Sequence, residues 1–313
     1  MLAQTLLALG LTLVSACLIN WGYLTEHGAA SALAPLSVRA PLRSLRLLLA
    51  SRRWLVGFGA ETGGFALYFA AVALAPLALV QAVAAGGIGV LASLVARTTG
   101  TPLDMRERFG VTVAIGGLAL LGVSLAGGSE PGSTAGWIPI AVWLGASIAT
   151  AALAVSSGAT VLRDGAAFGV AAGILFAAGD VSTKVMVDSA QAAVTPAVIG
   201  FYAAGTIVLQ MGFQRGRALT TAGIATLGTN AIPIAAAMTL FEEPLPDGPL
   251  GGVRVAAFAA VVVGAVALAP RRTESVRGSG TPKWSLDPIA PPKAARKSEP
   301  RLDPKLERTQ TTT

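Results

Sequence analysis

Apolar residues along this chain come in long runs, not in narrow stripes. Nine runs approach the roughly 20 residues that a helix needs to cross a bilayer core. They cover 2–24, 54–74, 76–96, 110–126, 137–157, 166–187, 195–213, 219–240 and 251–269. Several are rich in Gly and Ala, which lets helices approach closely, and Gly59 with Gly63 forms one small pair. The pattern predicts an all-α integral membrane protein of about nine transmembrane helices. One stretch, 36–53, is too charged to span. Arg39, Arg43 and Arg46 share one helical face there, while Leu42, Leu45, Leu48 and Leu49 fall mostly on another. This predicts an amphipathic helix on the membrane surface, with Pro41 in its first turn. Trp21, Tyr23 and Trp54 near span ends are expected as interface anchors.

Composition narrows the function classes. Of 313 residues, 53% are hydrophobic and 12% charged, against about 25% charged in a soluble domain. A soluble enzyme and a wholly disordered chain are both excluded. The single cysteine, Cys17, gives no disulfide framework, and the single histidine, His27, gives no Cys/His zinc site. Cys17 closes a lipoprotein-like box, Val14-Ser15-Ala16-Cys17, and is read as a small core residue. No nucleophile–His pair appears, and no glycine loop followed by Lys-Ser/Thr. The expectation is therefore no enzyme, no cofactor, no metal site and no ATP-driven step.

Charge sets the orientation. Positive residues gather in alternate loops: Arg39 to Arg53, then Arg97, Arg106 and Arg108, then Arg163, then Arg215 and Arg217. The intervening loops carry Glu130, Asp188, Glu242, Glu243 and Asp247. The positive-inside rule puts the amino terminus outside a plasma (bacterial inner) membrane and the carboxyl terminus in the cytoplasm. Lys184 and Arg254 lie towards the opposite face, where snorkelling is expected. Of the net charge of +7, residues 271–313 supply +5. This Pro-, Lys- and Arg-rich tail is expected to be disordered and to touch anionic lipid rather than nucleic acid.

An internal repeat suggests the architecture. At an offset of 142 residues, Pro102-Leu103 matches Pro244-Leu245, Gly110-Val111 matches Gly252-Val253, and Gly122 matches Gly264. The first copy starts on the inner side and the second on the outer, the pattern of inverted-topology transporters. The domains expected are a first repeat over 1–126, including the amphipathic helix, a second over 137–270, and the tail, in a four-plus-five arrangement of helices. Glu61 to Phe65 with Tyr68, Ala75-Pro76, Leu79-Val80-Gln81, Pro102-Leu103 to Gly110, and Phe241 to Pro244 resemble motifs of the drug/metabolite transporter superfamily. Within it, the resemblance is to EamA-like permeases and to the NIPA-like magnesium transporter branch. It covers about residues 1–270 and implies alternating access between two inverted repeats. The family's usual five plus five helices become four plus five here, because 36–53 stands where a span would be.

Ionisable and amide groups inside spans are the candidate site residues. Glu61 is the first, roughly 10 Å into its helix at 1.5 Å per residue; it is a candidate for proton or cation coupling or for a direct cargo ligand. Asp180 and Lys184, four apart on one helix, are expected to pair and, functionally, to form a gate. Asn20, Gln81, Gln210 and Asn230 are amides that complete a cavity or join helices. Pro233, with Gly223 and Gly228, is expected to interrupt its helix. The leading reading is a secondary permease for a small metabolite or amphiphile, coupled to protons through Glu61. A divalent-cation carrier of the NIPA-like type is the alternative, and a non-transporting scaffold or lipid-intermediate flippase component is a third. The oligomer is left open, with a dimer as one option.

Overall fold

The computed structural model describes residues 2–75, 80, 83–124, 136–157, 165–189, 192–242 and 248–269. The basic tail and Gln81 lie outside the described residues, as do Pro244-Leu245 of the expected repeat. Ten helices and one 3₁₀ turn (Ala192–Val194) make up the described chain, with no strand among those residues. The helices are α1 Leu2–Ala30, α2 Pro41–Ala50, α3 Arg52–Leu74, α4 Gly87–Thr99, α5 Met105–Ser124, α6 Trp137–Ser157, α7 Ala166–Ser189, α8 Thr195–Phe213, α9 Ala218–Leu240 and α10 Pro249–Leu268. Seven are long and apolar enough to cross a membrane: α1 and α5 to α10. The remaining long helix, α3, has 23 residues but carries Glu61 in its middle. Large apolar side chains stay exposed on α1, α6 and α10, among them Leu6, Ile138 and Val262. Such faces suit hydrocarbon rather than water.

Small residues decide which helices touch. α1 packs on α3 and α4, α7 on α8 and α9, and α5 on α10. A Cβ on Gly22 would stand 2.8 Å from Gly57 O, and one on Gly64 would stand 2.6 Å from Ile19 Cγ1. Ser15 Oγ adds a 2.7 Å bond to Gly64 O. These contacts run α1 and α3 antiparallel. Gly59 and Gly63, the pair expected to pack, have no heavy atom within 4 Å of an added Cβ. The helix turns Gly57 and Gly64 inward instead. On the other side, Gly169 abuts Thr221 and Gly173 abuts Ala225, so α7 and α9 run parallel. Gly110 meets Ala267, Gly117 meets Val261, and Gly264 meets Ala114, so α5 and α10 cross antiparallel at backbone distance.

Three boundaries differ from the sequence expectation. α1 continues to Ala30, past the expected stop at 24, and so takes in Glu26 and His27. α2 covers only Pro41–Ala50, with Leu48 buried and Leu42 82% exposed. Ser51 ends it and caps α3 by accepting from Trp54 N. α9 runs through Pro233 as one helix; the ring removes a single backbone bond, to the Thr229 carbonyl. Arg254 does not snorkel. It is 2% exposed and donates to Ser124 O (3.1 Å) and Ser124 Oγ (3.3 Å). The carbonyl at the end of α5 is an acceptor that favours a cation, which explains why the guanidinium stays inside.

One end of the bundle gathers the arginines of several loops. Arg53 lies over Gly28, Arg217 pairs with Glu107, and Arg106 Nη2 donates to Val266 O at 2.6 Å. Glu107 and Asp104 cap each other's backbone N–H at the start of α5. These arginines mark the basic end of the bundle.

Candidate functional site

The extension of α1 brings a second carboxyl into the bundle. Glu26 is 1% exposed. It lies opposite Gly57 of α3, whose absent side chain makes the room: a Cβ there would stand 2.8 Å from Glu26 Cγ. One turn further along α3, the Glu61 carboxyl lies beside Glu26. Tyr23, three residues before Glu26 on the same face, has Glu61 and Thr226 of α9 as polar neighbours. Gln210 of α8, fully buried, donates its Nε2 to Glu26 Oε2. The group therefore draws on α1, α3, α8 and α9.

Its hydrogen-bond balance is incomplete. Glu26 Oε1 and Gln210 Oε1 are buried with no donor from the described residues. Ionised carboxylates are acceptors only, so the Glu26–Glu61 contact becomes a hydrogen bond only with a proton between them. A buried acceptor without a donor costs about 1–3 kcal/mol. Two such oxygens beside a second carboxyl form a place that a proton or a metal cation satisfies. Hard cations take oxygen ligands from one or two carboxylates, with carbonyls and waters completing the shell. Glu26, Glu61 and the Gln210 amide oxygen fit that donor type.

The other expected site residues fall elsewhere. Asn20 is buried and donates to Ala16 O at 2.8 Å; its amide lies against Gly87 of α4. Asn230 donates to Thr226 O at 2.7 Å, one turn from the residue that meets Tyr23. Asp180 does not use Lys184 as its partner. Tyr202 Oη donates to Asp180 Oδ1 at 2.5 Å, joining α7 to α8. Lys184 Nζ stands 4.8 Å from the centre of the Phe241 ring, a cation–π contact. A tyrosine across the helix crossing is the partner of Asp180. Of the named candidates, Glu61 and Gln210 meet, and they do so through Glu26. The missed residue had a signal: an acid two residues past the expected end of a run that resumes with Ala29 and Ala30.

The chain matches no protein-family model, and no solved structure matches it. It is 24% identical over 263 residues to a probable magnesium transporter, NIPA9, of Arabidopsis thaliana; the alignment covers 77% of this chain and 75% of that protein. The likeness is to a membrane transporter. With seven apolar helices of spanning length, it supports a multi-pass membrane protein of transporter type.

Proposed function

We propose that the chain is a secondary-active permease that moves a small cation by alternating access, with Glu26 and Glu61 taking the cation. The observation that supports this reading is the Glu26–Glu61–Gln210 contact, in which both carboxyls come from one group of helices and the amide from another. Two groups of four correspond: α1, α3, α4 and α5 with α7, α8, α9 and α10. In each, the first helix packs on the second and third, and the fourth packs on the other group's fourth. This correspondence and the 142-residue sequence offset support two inverted repeats, with α6 between them. Counting α3 and the segment that ends in α4 raises the spans to nine. The positive-inside rule makes the basic end cytoplasmic and places the amino terminus outside.

Within this reading the cargo is a divalent cation of the magnesium type. Two carboxyls and a spare amide oxygen favour it, as does the likeness to the probable magnesium transporter of Arabidopsis. A second reading, a metabolite permease coupled to protons, is favoured by the carboxyl–carboxyl contact, which needs a proton. The experiment is flux into proteoliposomes holding a magnesium-sensing dye or a pH dye. Magnesium entry that disappears in Glu61→Gln supports the first reading. Proton movement driven by a metabolite panel, without magnesium entry, supports the second. Magnesium entry unchanged in both Glu26→Gln and Glu61→Gln refutes the assigned site.

A further inference from the structure

α1 and α8 meet through two polar contacts in one register. Gln210 reaches Glu26, and Gln214 reaches Ala30 O at 2.9 Å; each pair is separated by 184 residues. Residues four apart on a helix lie one above the other, so the contacts are two rungs of one ladder, about 6 Å apart. The lower rung belongs to the carboxyl site. The upper rung lies toward the basic end. Gln214 Nε2 also donates to Leu33 O (3.3 Å) and Ala34 O (3.1 Å), and its Oε1 accepts from Leu36 N (3.0 Å). One amide thus fastens the turn after α1 to the end of α8. Ser31 Oγ to Phe213 O (3.2 Å) and His27 Nε2 to Gly216 O (3.0 Å) lie beside it.

We propose that Gln210 and Gln214 transmit occupancy of the carboxyl site to the closure of the basic end. This rests on the cation reading above. A cation held between Glu26 and Gln210 repels the amide N–H and attracts its oxygen, so binding there favours turning Gln210 over to present the Oε1 that now has no donor. The lower rung breaks, and the upper rung, carried on the same face of α8, loosens. Gln214 touches no cargo and acts as a positioning residue. Linkage then makes the effect reciprocal: if magnesium loosens the latch, removing the latch must tighten magnesium binding.

The test uses the full chain, purified in detergent, with magnesium chloride as the probe. Hydrogen exchange of residues 31–36, where the Leu36 amide reports directly, is expected to quicken on the order of tenfold with magnesium. Gln214→Ala is expected to exchange fast with or without the ion and to bind magnesium on the order of tenfold more tightly. A purely structural Gln214 would leave affinity unchanged or lower it. If Gln214→Ala does not purify folded, Gln214→Asn keeps the amide one methylene short and carries the same expectation. A thermal shift with magnesium that Glu61→Gln abolishes, without any change at 31–36, overturns the ladder alone. Unchanged or weaker binding in the Gln214 variant does the same. Absence of any magnesium shift in the unmodified chain overturns the cation reading and the ladder together.

Discussion

Glu26→Gln separates the ion-binding role of the site from its role in holding helices together. The substitution keeps the side-chain length. Its amide oxygen accepts from Gln210 Nε2 in place of Glu26 Oε2, and its N–H₂ is a donor available to the neighbouring Glu61 carboxyl. Folding is therefore expected to change by less than about 1 kcal/mol. The loss is the charge. At about 4 Å and an effective dielectric near 20, one carboxylate attracts a divalent ion by about 8 kcal/mol. Desolvation offsets most of this, yet a surviving quarter, about 2 kcal/mol, is roughly a 30-fold loss of affinity. Glu26→Leu behaves differently. It leaves the fully buried Gln210 amide without its acceptor, which costs about 1–3 kcal/mol in stability as well. Thermal midpoints in detergent and magnesium flux in proteoliposomes read the two effects separately. A folded Glu26→Gln with flux and affinity within about twofold of the parent refutes the reasoning. So does a Glu26→Leu as stable as Glu26→Gln.

Gly57→Ala is expected to destabilise by about 1–3 kcal/mol, because its Cβ meets Gly22 O at 3.0 Å and Glu26 Cγ at 2.8 Å. Gly59→Ala, with open space around it, is expected to be neutral or to stabilise by up to about 1 kcal/mol through helix propensity; a thermal melt of both variants decides. Glu107→Gln keeps the cap on Asp104 N and loses the ion pair with Arg217, whose side chain is 49% exposed. The cost is expected below about 1 kcal/mol, shrinking as salt is added, and melts at two ionic strengths test it. Arg254→Leu removes both donations to Ser124; a loss of about 1–3 kcal/mol in unfolding free energy is expected, with Arg254→Lys recovering part. Gln210→Glu is expected to bind magnesium more tightly and turn over more slowly, read from the dependence of flux on magnesium concentration.

Run length and hydropathy make the spans legible because the bilayer fixes how long an apolar helix must be. The seven qualifying helices lie where the runs do, and α2 forms where Arg and Leu segregate. Run length does not fix where a helix stops. α1 carries Glu26 and His27 inside because both have partners there: Gln210 for the first and Gly216 O for the second. A hydropathy reading charges a carboxyl its full cost and has no means of crediting a partner 184 residues away. The same gap hides the inward turn of Arg254, which depends on the carbonyl of Ser124 at the far end of another helix. Choosing between glycines fails for a simpler reason. Gly57, Gly59, Gly63 and Gly64 share one helix, and only the crossing with α1 selects Gly57 and Gly64.

The distribution of charge within the site bears on direction and release. In the proposed carrier, Glu26 and Glu61 move together, since α1 and α3 are locked by backbone-level contact at Gly22, Gly57 and Gly64. The opposing helices contribute a neutral group, Gln210. When the halves part, the cation is expected to remain with the two carboxyls and to lose the amide oxygen. Water then replaces a neutral ligand at small cost, which suits a site that must release as well as bind. A carboxylate at 210 would place charge on both halves, so each parting would separate a cation from an anion in a low dielectric. That penalty is the physical origin of the slower turnover expected of Gln210→Glu, and it arises only if the halves separate across this site.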